Sequence, residues 1–193
     1  MFGLNRMNIY DKAYNQTRFA QADLATEYEC CTFDNCDFSG LDFSNISFEE
    51  CTFTNCNFTE VKLKNTAFKQ VEFTECKMLG MQFTNCNPFL LEMNFDGCQL
   101  DYASYYQLNM SNAQLENCSL KEVDFVETNL HKASLSGSDL YGASFEQTNL
   151  TECDFRTARN YSMDPSINQI KGAIFSKDEV LGLLVKYGIK IVV

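Results

Sequence analysis

The chain contains no tryptophan, a single histidine and only two prolines among its 193 residues. One histidine argues against most acid–base active sites and histidine-bound metal sites, because these need several convergent groups. Basic residues are also scarce, since 15 Lys and Arg stand against 26 Asp and Glu, giving a formal net charge of −11. Direct nucleic-acid binding needs clusters of Lys and Arg, so this balance argues against it.

Long apolar runs and targeting signals are missing as well. No run approaches the roughly 18 residues that a membrane-spanning helix needs. The opening sequence, MFGLNRMNIYDKAYNQ, is interrupted by polar and charged residues too early for a secretory signal. We therefore expect a cytoplasmic protein with no membrane segment, whose ten cysteines stay reduced.

The chain is rich in phenylalanine, with 17 residues, and most of these recur at every fifth position. From Phe33 to Phe83 a large apolar residue occupies every fifth position without a break. After a shift of two residues, a second series runs from Phe95 to Phe155. A small or aliphatic residue stands two positions before each member, and the remaining positions are polar. Each unit of five therefore has two inward and three outward positions.

A period of five fits neither an amphipathic helix nor a flat strand, whose apolar residues recur with periods of 3.6 and 2. Two inward positions followed by an outward corner instead wind the chain into a coil. Neighbouring coils then stack at the parallel-strand spacing of about 4.8 Å, and each covers the apolar interior of the next. The period predicts an all-β solenoid.

Several units carry a recognisable pattern, among them CDFSG (36–40), CNFTE (56–60), SDLYG (138–142) and ASFEQ (143–147). They resemble the pentapeptide-repeat family, in which a small residue, Asp or Asn, Leu or Phe, a polar residue and often Gly follow one another. The resemblance covers at least residues 31–157. It implies a right-handed quadrilateral parallel β-helix with four units in each coil, and on this basis we expect roughly seven coils.

The periodicity divides the chain into three segments. Residues 1–27 carry a weaker form of the pattern and are predicted to be an N-terminal capping coil. Residues 28–158 form the β-helix, with an outward bulge at 85–93, where Pro88 replaces a core residue and two residues are added. Residues 159–193 are predicted to form a crossing, a helix and a strand.

The C-terminal segment is predicted to contain a short α-helix. Ser176 and Glu179 have capping-box spacing, and Gly188 suits the end of a helix. Such an apolar end either caps the last coil or also forms a homodimer, as the similar helix does in topoisomerase-protecting members of the family. DPSINQIKGAIF and GLLVKYGIKI also resemble the ends of the family's microcin-immunity and quinolone-resistance proteins. The predicted cap and dimer residues are Val180, Leu181, Leu184, Tyr187, Ile189, Ile191 and Val193.

The cysteines recur at intervals that match one coil of twenty residues, as in Cys36, Cys56 and Cys76. We expect them to stack inside the coil as small apolar residues, with a disulfide or a metal site as the minor alternatives. Cys30 lies outside this column and is the candidate reactive thiol. His131 follows a core position and is expected to face solvent. We expect no catalytic residue, no metal and no cofactor.

The acidic residues concentrate on the repeats. Residues 28–158 carry 20 acidic and 7 basic residues, net −13, whereas residues 159–193 are net +2. Assigning the units to faces places a net −8 on two neighbouring faces. The candidate partner-binding residues on the first acidic face are Asp34, Glu72, Glu75, Asp96, Glu116 and Asp154. Those on the second acidic face are Asp37, Glu60, Asp101, Glu122 and Asp139.

A straight rod with regular negative charge resembles duplex DNA in its electrostatic outline. Family members that protect bacterial type II topoisomerases, gyrase and topoisomerase IV, are thought to act as DNA mimics. The resemblance thus implies a non-enzymatic protein that protects from quinolones or from a topoisomerase toxin. Two alternatives remain: the charge serves only solubility, or the rod is an interaction scaffold for another partner. The short bulge, in place of long loops, favours plain competition with DNA or toxin immunity.

Overall fold

The computed structural model describes residues 7–190 and shows a parallel β-solenoid of about eight turns. The predicted solenoid is confirmed: every large residue of the two series, and every small residue two positions before it, is buried. Roughly seven coils were expected from the repeats alone. The additional turn arises because the chain before residue 28 and the chain beyond residue 158 also join the ladders.

Short parallel strands build two adjacent faces of the N-terminal part. One face stacks β1 (Asn8–Tyr10), β3 (Glu27–Glu29), β5 (Ser47–Glu49) and β7 (Ala67–Lys69) in that order. The next face stacks β2 (Ala13–Asn15), β4 (Thr32–Asp34), β6 (Thr52–Thr54), β8 (Val71–Thr74), β9 (Met93–Asp96) and β10 (Leu115–Glu116). Near the C-terminal end β11 (Asp154–Phe155) pairs with β12 (Ile174–Phe175). The remaining ladders consist of single-residue bridges, and 3-10 turns cover Gln21–Asp23 and Phe83–Asn85.

The register between neighbouring coils is twenty residues, with two exceptions. Phe33 pairs with Phe53, and Phe53 with Phe73. Tyr14 pairs with Phe33 at an offset of nineteen, because one residue is skipped there. Phe73 pairs with Phe95 at an offset of twenty-two, because the bulge adds two residues. After each exception the ladders continue, so that later units return to the same faces.

The fifth position of most units adopts a left-handed backbone conformation. Asn35 has a φ of 52° and Gly40 a φ of 74°. Glycine and asparagine tolerate this region better than other residues, which explains their frequency at the corners. The candidate acidic residues Glu60, Glu75 and Glu122 occupy the same kind of corner, with positive φ.

Aromatic rings stack from coil to coil inside the N-terminal half. The ring centroids of Phe33 and Phe53 are 4.6 Å apart, and those of Phe53 and Phe73 are 5.1 Å apart. Rings of adjacent faces meet edge to face, as Phe53 and Phe58 do at 5.3 Å. These geometries add to the stability gained from burial alone.

Buried polar groups of the small column mostly bond to the preceding coil. The Thr128 hydroxyl donates to the Tyr105 carbonyl at 2.8 Å. The Cys56 thiol makes the equivalent, longer contact of 3.4 Å to the Phe33 carbonyl. The hydroxyl of Tyr105 itself is buried without a hydrogen-bond partner in the described chain. Burial of an unpaired hydroxyl costs free energy, so this position is a weak point of the core.

The predicted C-terminal α-helix is wrong, because Val180–Leu183 and Val185–Tyr187 form two 3-10 turns. The Ser176 hydroxyl accepts the Glu179 N–H at 3.2 Å, which is half of a capping box. The Glu179 carboxylate, however, accepts the N–H of Asn160 at 3.1 Å and is therefore committed to the last coil. The segment follows the shape of the coil end instead of completing a regular helix.

Gly182 shows why this segment does not form a regular helix. A Cβ at this position would lie in the space of the Tyr161 carbonyl oxygen, so only glycine allows the close approach. Glycine also lowers helix propensity by about 1 kcal/mol relative to alanine. Phe175 and Leu183 are partly buried and pack against the core. No helix within residues 7–190 is long and apolar enough to cross a membrane.

Candidate protein-binding surface

The first acidic face lies on the ladder that contains β4, β6, β8, β9 and β10. Asp34 aligns through Thr54 and Thr74 with Asp96, which aligns with Glu116. This column is therefore acidic at both ends and neutral between them. The other acidic residues of this face are Glu72 in β8, Glu75 at the following corner and Asp154 in β11.

Several of these carboxylates also hold neighbouring coils together. Each accepts a hydrogen bond from a side chain about one coil further on. The pairs are Glu72 with Asn94 at 2.9 Å, Asp96 with Asn117 at 2.8 Å and Glu116 with Ser134 at 2.5 Å. The carboxylates thus combine a charge on the surface with a bond in the ladder.

Asp154 contributes less negative charge to the surface than the sequence suggests. Its side chain accepts hydrogen bonds from the Arg156 guanidinium, with an Nη2–Oδ2 distance of 2.6 Å. These bonds lower the pKa of Asp154, because they stabilise the charged form. The pair is locally neutral, so the first acidic face loses charge toward its C-terminal end.

On the second acidic face Asp37 and Asp139 have a local structural role that the sequence analysis did not predict. The Asp37 Oδ1 accepts the N–H of Ser39 at 3.0 Å, and the Asp139 Oδ1 accepts the N–H of Tyr141 at 3.3 Å. Hydrogen bonds from Ser39 lower the pKa of Asp37. The Asp or Asn before the large residue in many units was the available signal, because such side chains commonly accept an N–H two residues on.

Asp139 shows how opposing effects combine on this face. Partial desolvation acts to raise its pKa, but hydrogen bonds from Asn160 and Tyr141 and the charge of Lys121 outweigh it, so the pKa is lowered. The Asn160 Nδ2 donates at 2.7 Å, and the Lys121 Nζ lies at 3.5 Å. Asp101 accepts the Ser119 hydroxyl at 2.5 Å. Asp139 is therefore ionised at neutral pH, and the hydrogen bonds hold both carboxylates in place.

The other two faces are acidic as well, though less so. Within residues 28–158 the two acidic faces carry eleven carboxylates against three cations, net −8. The other two faces carry nine carboxylates against four cations, net −5. The charge is therefore graded around the rod rather than confined to one stripe.

The bulge forms a short protrusion beside a groove. Phe89 and Leu90 are 70% and 61% exposed. The groove has a volume of about 300 Å³ and is lined by 90–94 and 109–113. The chain here leaves the solenoid only briefly, since Val71 already pairs with Met93.

The predicted cap residues divide into covered and exposed groups. Val180 and Leu184 are half-buried, whereas Leu181 and Tyr187 are exposed. Ile189 is 55% exposed and is not part of a strand. Ile191 and Val193 lie outside the described residues.

The cysteines are all free, and only Cys30 is not buried. Burial raises the pKa of Cys51, Cys86 and Cys153 to about 12, which keeps these thiols neutral and unreactive. Within residues 7–190 no group of three His, Cys, Asp or Glu side chains is arranged to hold a metal ion. His131 is half-buried, with Nδ1 at 3.1 Å from the Thr151 carbonyl oxygen, which is a contact between coils.

Two family models match most of the chain. One, described as a pentapeptide repeat region, matches residues 26–105. The other, described as pentapeptide repeats in eight copies, matches 94–131, 109–147 and 138–159. No curated protein matches the chain.

Several solved structures match this chain over 72% or more of its length. HetL, described as involved in heterocyst differentiation regulation in the cyanobacterium Nostoc sp. strain PCC 7120, is 16% identical with a TM-score of 0.61. That match covers 89% of this chain and 87% of HetL. QnrB1, a plasmid-mediated fluoroquinolone resistance protein, is 21% identical over 95% of this chain and 100% of its own, with a TM-score of 0.41. A thylakoid-lumen protein from Arabidopsis thaliana is 20% identical over 72% of each chain, with a TM-score of 0.23.

Proposed function

Because the chain belongs to the pentapeptide-repeat family, we propose that it is a non-enzymatic acidic rod that binds a bacterial type II topoisomerase in place of DNA. The observation that carries this proposal is the set of eleven carboxylates on two adjacent faces, which extends along most of the solenoid. A basic surface that grips DNA attracts such a rod through the same long-range field. Protection from a quinolone or a peptide toxin would follow from displacement of DNA.

Supercoiling by purified gyrase tests this proposal. We expect inhibition at micromolar protein that weakens as salt rises, because screening shortens the range of the field. The test variant combines Asp34→Asn, Glu72→Gln, Asp96→Asn and Glu116→Gln. These amides still accept the ladder hydrogen bonds, so the variant removes charge and leaves the coil contacts in place.

The matched control removes the same number of charges from the other two faces. It combines Glu29→Gln, Glu50→Gln, Glu127→Gln and Glu146→Gln. We expect the first variant to inhibit about ten-fold more weakly than the wild type, and the control to change little. Equal losses in both variants would show that net charge acts without a defined face. Absence of any effect of the wild-type protein on supercoiling, together with no co-purification of gyrase subunits, would overturn the proposal.

An interaction scaffold for another partner is the second candidate, and two observations favour it. Most of the candidate carboxylates accept hydrogen bonds within the repeats, so the fold alone accounts for part of their presence. The remaining faces also carry a net −5. This candidate stands if the gyrase experiment is negative and the folded rod is retained.

We also propose that the C-terminal segment joins two copies of the chain. Its exposed apolar side chains support this proposal, with Val185 at 61% and Tyr187 at 59% exposure. The test is sedimentation of the double variant Val185→Glu and Tyr187→Ser, with Phe89→Ser as the control. We expect a dimer for the wild type and the control and a monomer for the double variant. Truncation is a poorer test, because it also removes Phe175 from the end of the core.

A further inference from the structure

Two tyrosines on the second acidic face are turned outward. Tyr102 is 64% exposed and Tyr141 is 63% exposed, whereas Phe38 and Phe58 on the same face are buried. Single exposed apolar side chains are ordinary in soluble proteins. These two, however, line the same open groove of about 460 Å³, together with Lys121, Glu122, Asp139 and Asn160.

The coil register sets the spacing of the two rings. Gln99, Ser119 and Asp139 bridge in succession, so Tyr102 and Tyr141 lie two coils apart with Glu122 on the coil between them. Two coil steps correspond to about 9.6 Å at the usual strand spacing. A cation is attracted to an aromatic face within about 6 Å of its centroid, so this backbone spacing leaves room for one cationic group between the two side chains.

The groove contains one carboxylate, that of Glu122, that can pair with such a cation. Lys121 is compensated by Asp139, with Nζ at 3.5 Å from the carboxylate. Within residues 7–190 the Glu122 carboxylate has neither an ion-pair nor a hydrogen-bond partner. Its side chain lies beside Gly142, where an added Cβ would come within 3.3 Å of the Glu122 Cγ. The glycine therefore leaves the space that this carboxylate uses.

We propose that this groove binds one arginine side chain of a basic partner protein, with the guanidinium between Tyr102 and Tyr141 and paired with Glu122. The proposal rests on the proposed function only in taking the partner surface to be basic. Arginine suits the groove better than lysine because its planar, weakly hydrated group stacks on rings and bonds a carboxylate through two N–H groups. Tyrosine and arginine are also the residues that dominate interface affinity.

Titration with short synthetic peptides tests the groove without any topoisomerase. The probes are nona-arginine and nona-lysine, and the readout is NMR of isotope-labelled tyrosine rings together with the dissociation constant. We expect the Tyr102 and Tyr141 resonances to shift on addition of nona-arginine. We also expect nona-arginine to bind about five-fold more tightly than nona-lysine.

Three variants test which side chains of the groove bind the peptide. Tyr102→Ala, Tyr141→Ala and Glu122→Gln should each weaken nona-arginine binding about five-fold and reduce the preference over nona-lysine. The matched control is Tyr106→Ala, an exposed tyrosine near Glu127 on another face, which should change binding by less than about two-fold. Thermal melts should match the wild type, because the two groove rings are exposed.

The outcomes separate this proposal from the proposed function. Equal binding of both peptides, or equal loss in the Tyr106→Ala control, would overturn the arginine groove even if gyrase is inhibited. Arginine-selective binding that depends on both tyrosines would support the groove even if gyrase is unaffected, and it would then indicate a different basic partner.

Discussion

The two halves of the solenoid follow the same period but fill it differently. The aromatic half, residues 28–83, stacks phenylalanine rings and builds three- or four-residue strands on two faces. The aliphatic half, residues 95–155, is dominated by leucine and is joined mostly by single-residue bridges. Both halves keep the same register of twenty. The spacing of inward positions therefore sets the path of the backbone, and the identity of the inward side chains decides how the interior is packed.

The corners, by contrast, are of the same two kinds in both halves. One kind closes the turn within the chain: the Leu41 N–H donates to the Phe38 carbonyl at 3.1 Å, and the Ala133 N–H to the Leu130 carbonyl at 3.0 Å. The other kind bonds to the next coil: the Cys36 N–H donates to the Cys56 sulfur at 3.4 Å, and the Cys118 N–H to the Ser138 hydroxyl oxygen at 2.9 Å. The difference between the halves therefore lies in the rings of the interior.

The largest expected effect is the loss of a stacked ring. Phe53→Ala should lower the free energy of unfolding by about 4 kcal/mol, because a cavity forms between Phe33 and Phe73. The matched variant in the aliphatic half, Leu120→Ala, should cost about 3 kcal/mol. Urea denaturation followed by circular dichroism measures both. A larger loss in Leu120→Ala would contradict the view that the aromatic half depends more on ring contacts.

An intermediate effect should have opposite signs at two buried hydroxyls, of which one has a hydrogen-bond partner and the other has none within the described chain. Thr128→Val removes the donor to the Tyr105 carbonyl and should destabilise the protein by about 1–2 kcal/mol. Tyr105→Phe removes the unpaired hydroxyl and should stabilise it by about 1 kcal/mol, since Phe83 and Phe125 already stack on the ring. Thermal unfolding of both variants checks the signs. Destabilisation by Tyr105→Phe would show that this hydroxyl has a partner, such as a bound water.

The smallest effect concerns the C-terminal segment, which charge as well as burial holds in place. A hydrogen bond from Lys186 and further ones from Ser166 lower the pKa of Asp164 to about 2. Its ordinary pKa is about 3.9, so this pairing stabilises the folded protein above about pH 4 and is lost as the pH falls through about 2. Asp164→Asn should therefore lower the melting temperature clearly at pH 7 and much less at pH 2, where about half of the Asp164 carboxyl groups are protonated.

The control for this pH dependence is Asp178→Asn, which lies in the same segment, is exposed, and has no side-chain hydrogen bond or ion pair within residues 7–190. It should leave the melting temperature unchanged at both pH values. A difference between wild type and Asp164→Asn that is as large at pH 2 as at pH 7 would refute the ion-pair explanation.

The fold could be predicted from the sequence because the same pattern of inward and outward positions recurs in every unit of five residues. Phe48 and Phe68 occupy the same position in units one coil apart. A wrong assignment of one unit therefore leaves the assignment of the others unchanged. The two register shifts were also visible, since each is a departure from a strict count. The sequence gives no comparable redundancy for the C-terminal segment, where the close approach of Gly182 to Tyr161 joins residues that no period relates.

The roles of the acidic residues were harder to predict. The position of Asp37 in its repeat predicts an outward, charged side chain. Only the structure shows that this side chain also accepts the Ser39 N–H. Likewise, Glu122 and Asp154 both stand at outward positions of the repeats. Within residues 7–190, however, the Glu122 carboxylate has no ion-pair partner, whereas the Asp154 carboxylate pairs with Arg156. Pairing of this kind depends on which side chains meet across coils, and outward positions vary freely in sequence.

The register has a consequence for how this molecule can change. The interior repeats every five residues, whereas the surface repeats every twenty. An insertion of one whole unit would keep every later inward side chain in the core. It would also move every later outward side chain to the neighbouring face, which is a rotation of a quarter turn. An insertion of four units would lengthen the rod and restore every face. Surface and core can therefore diverge independently, and a new interface can arise by a change of phase without a single substitution.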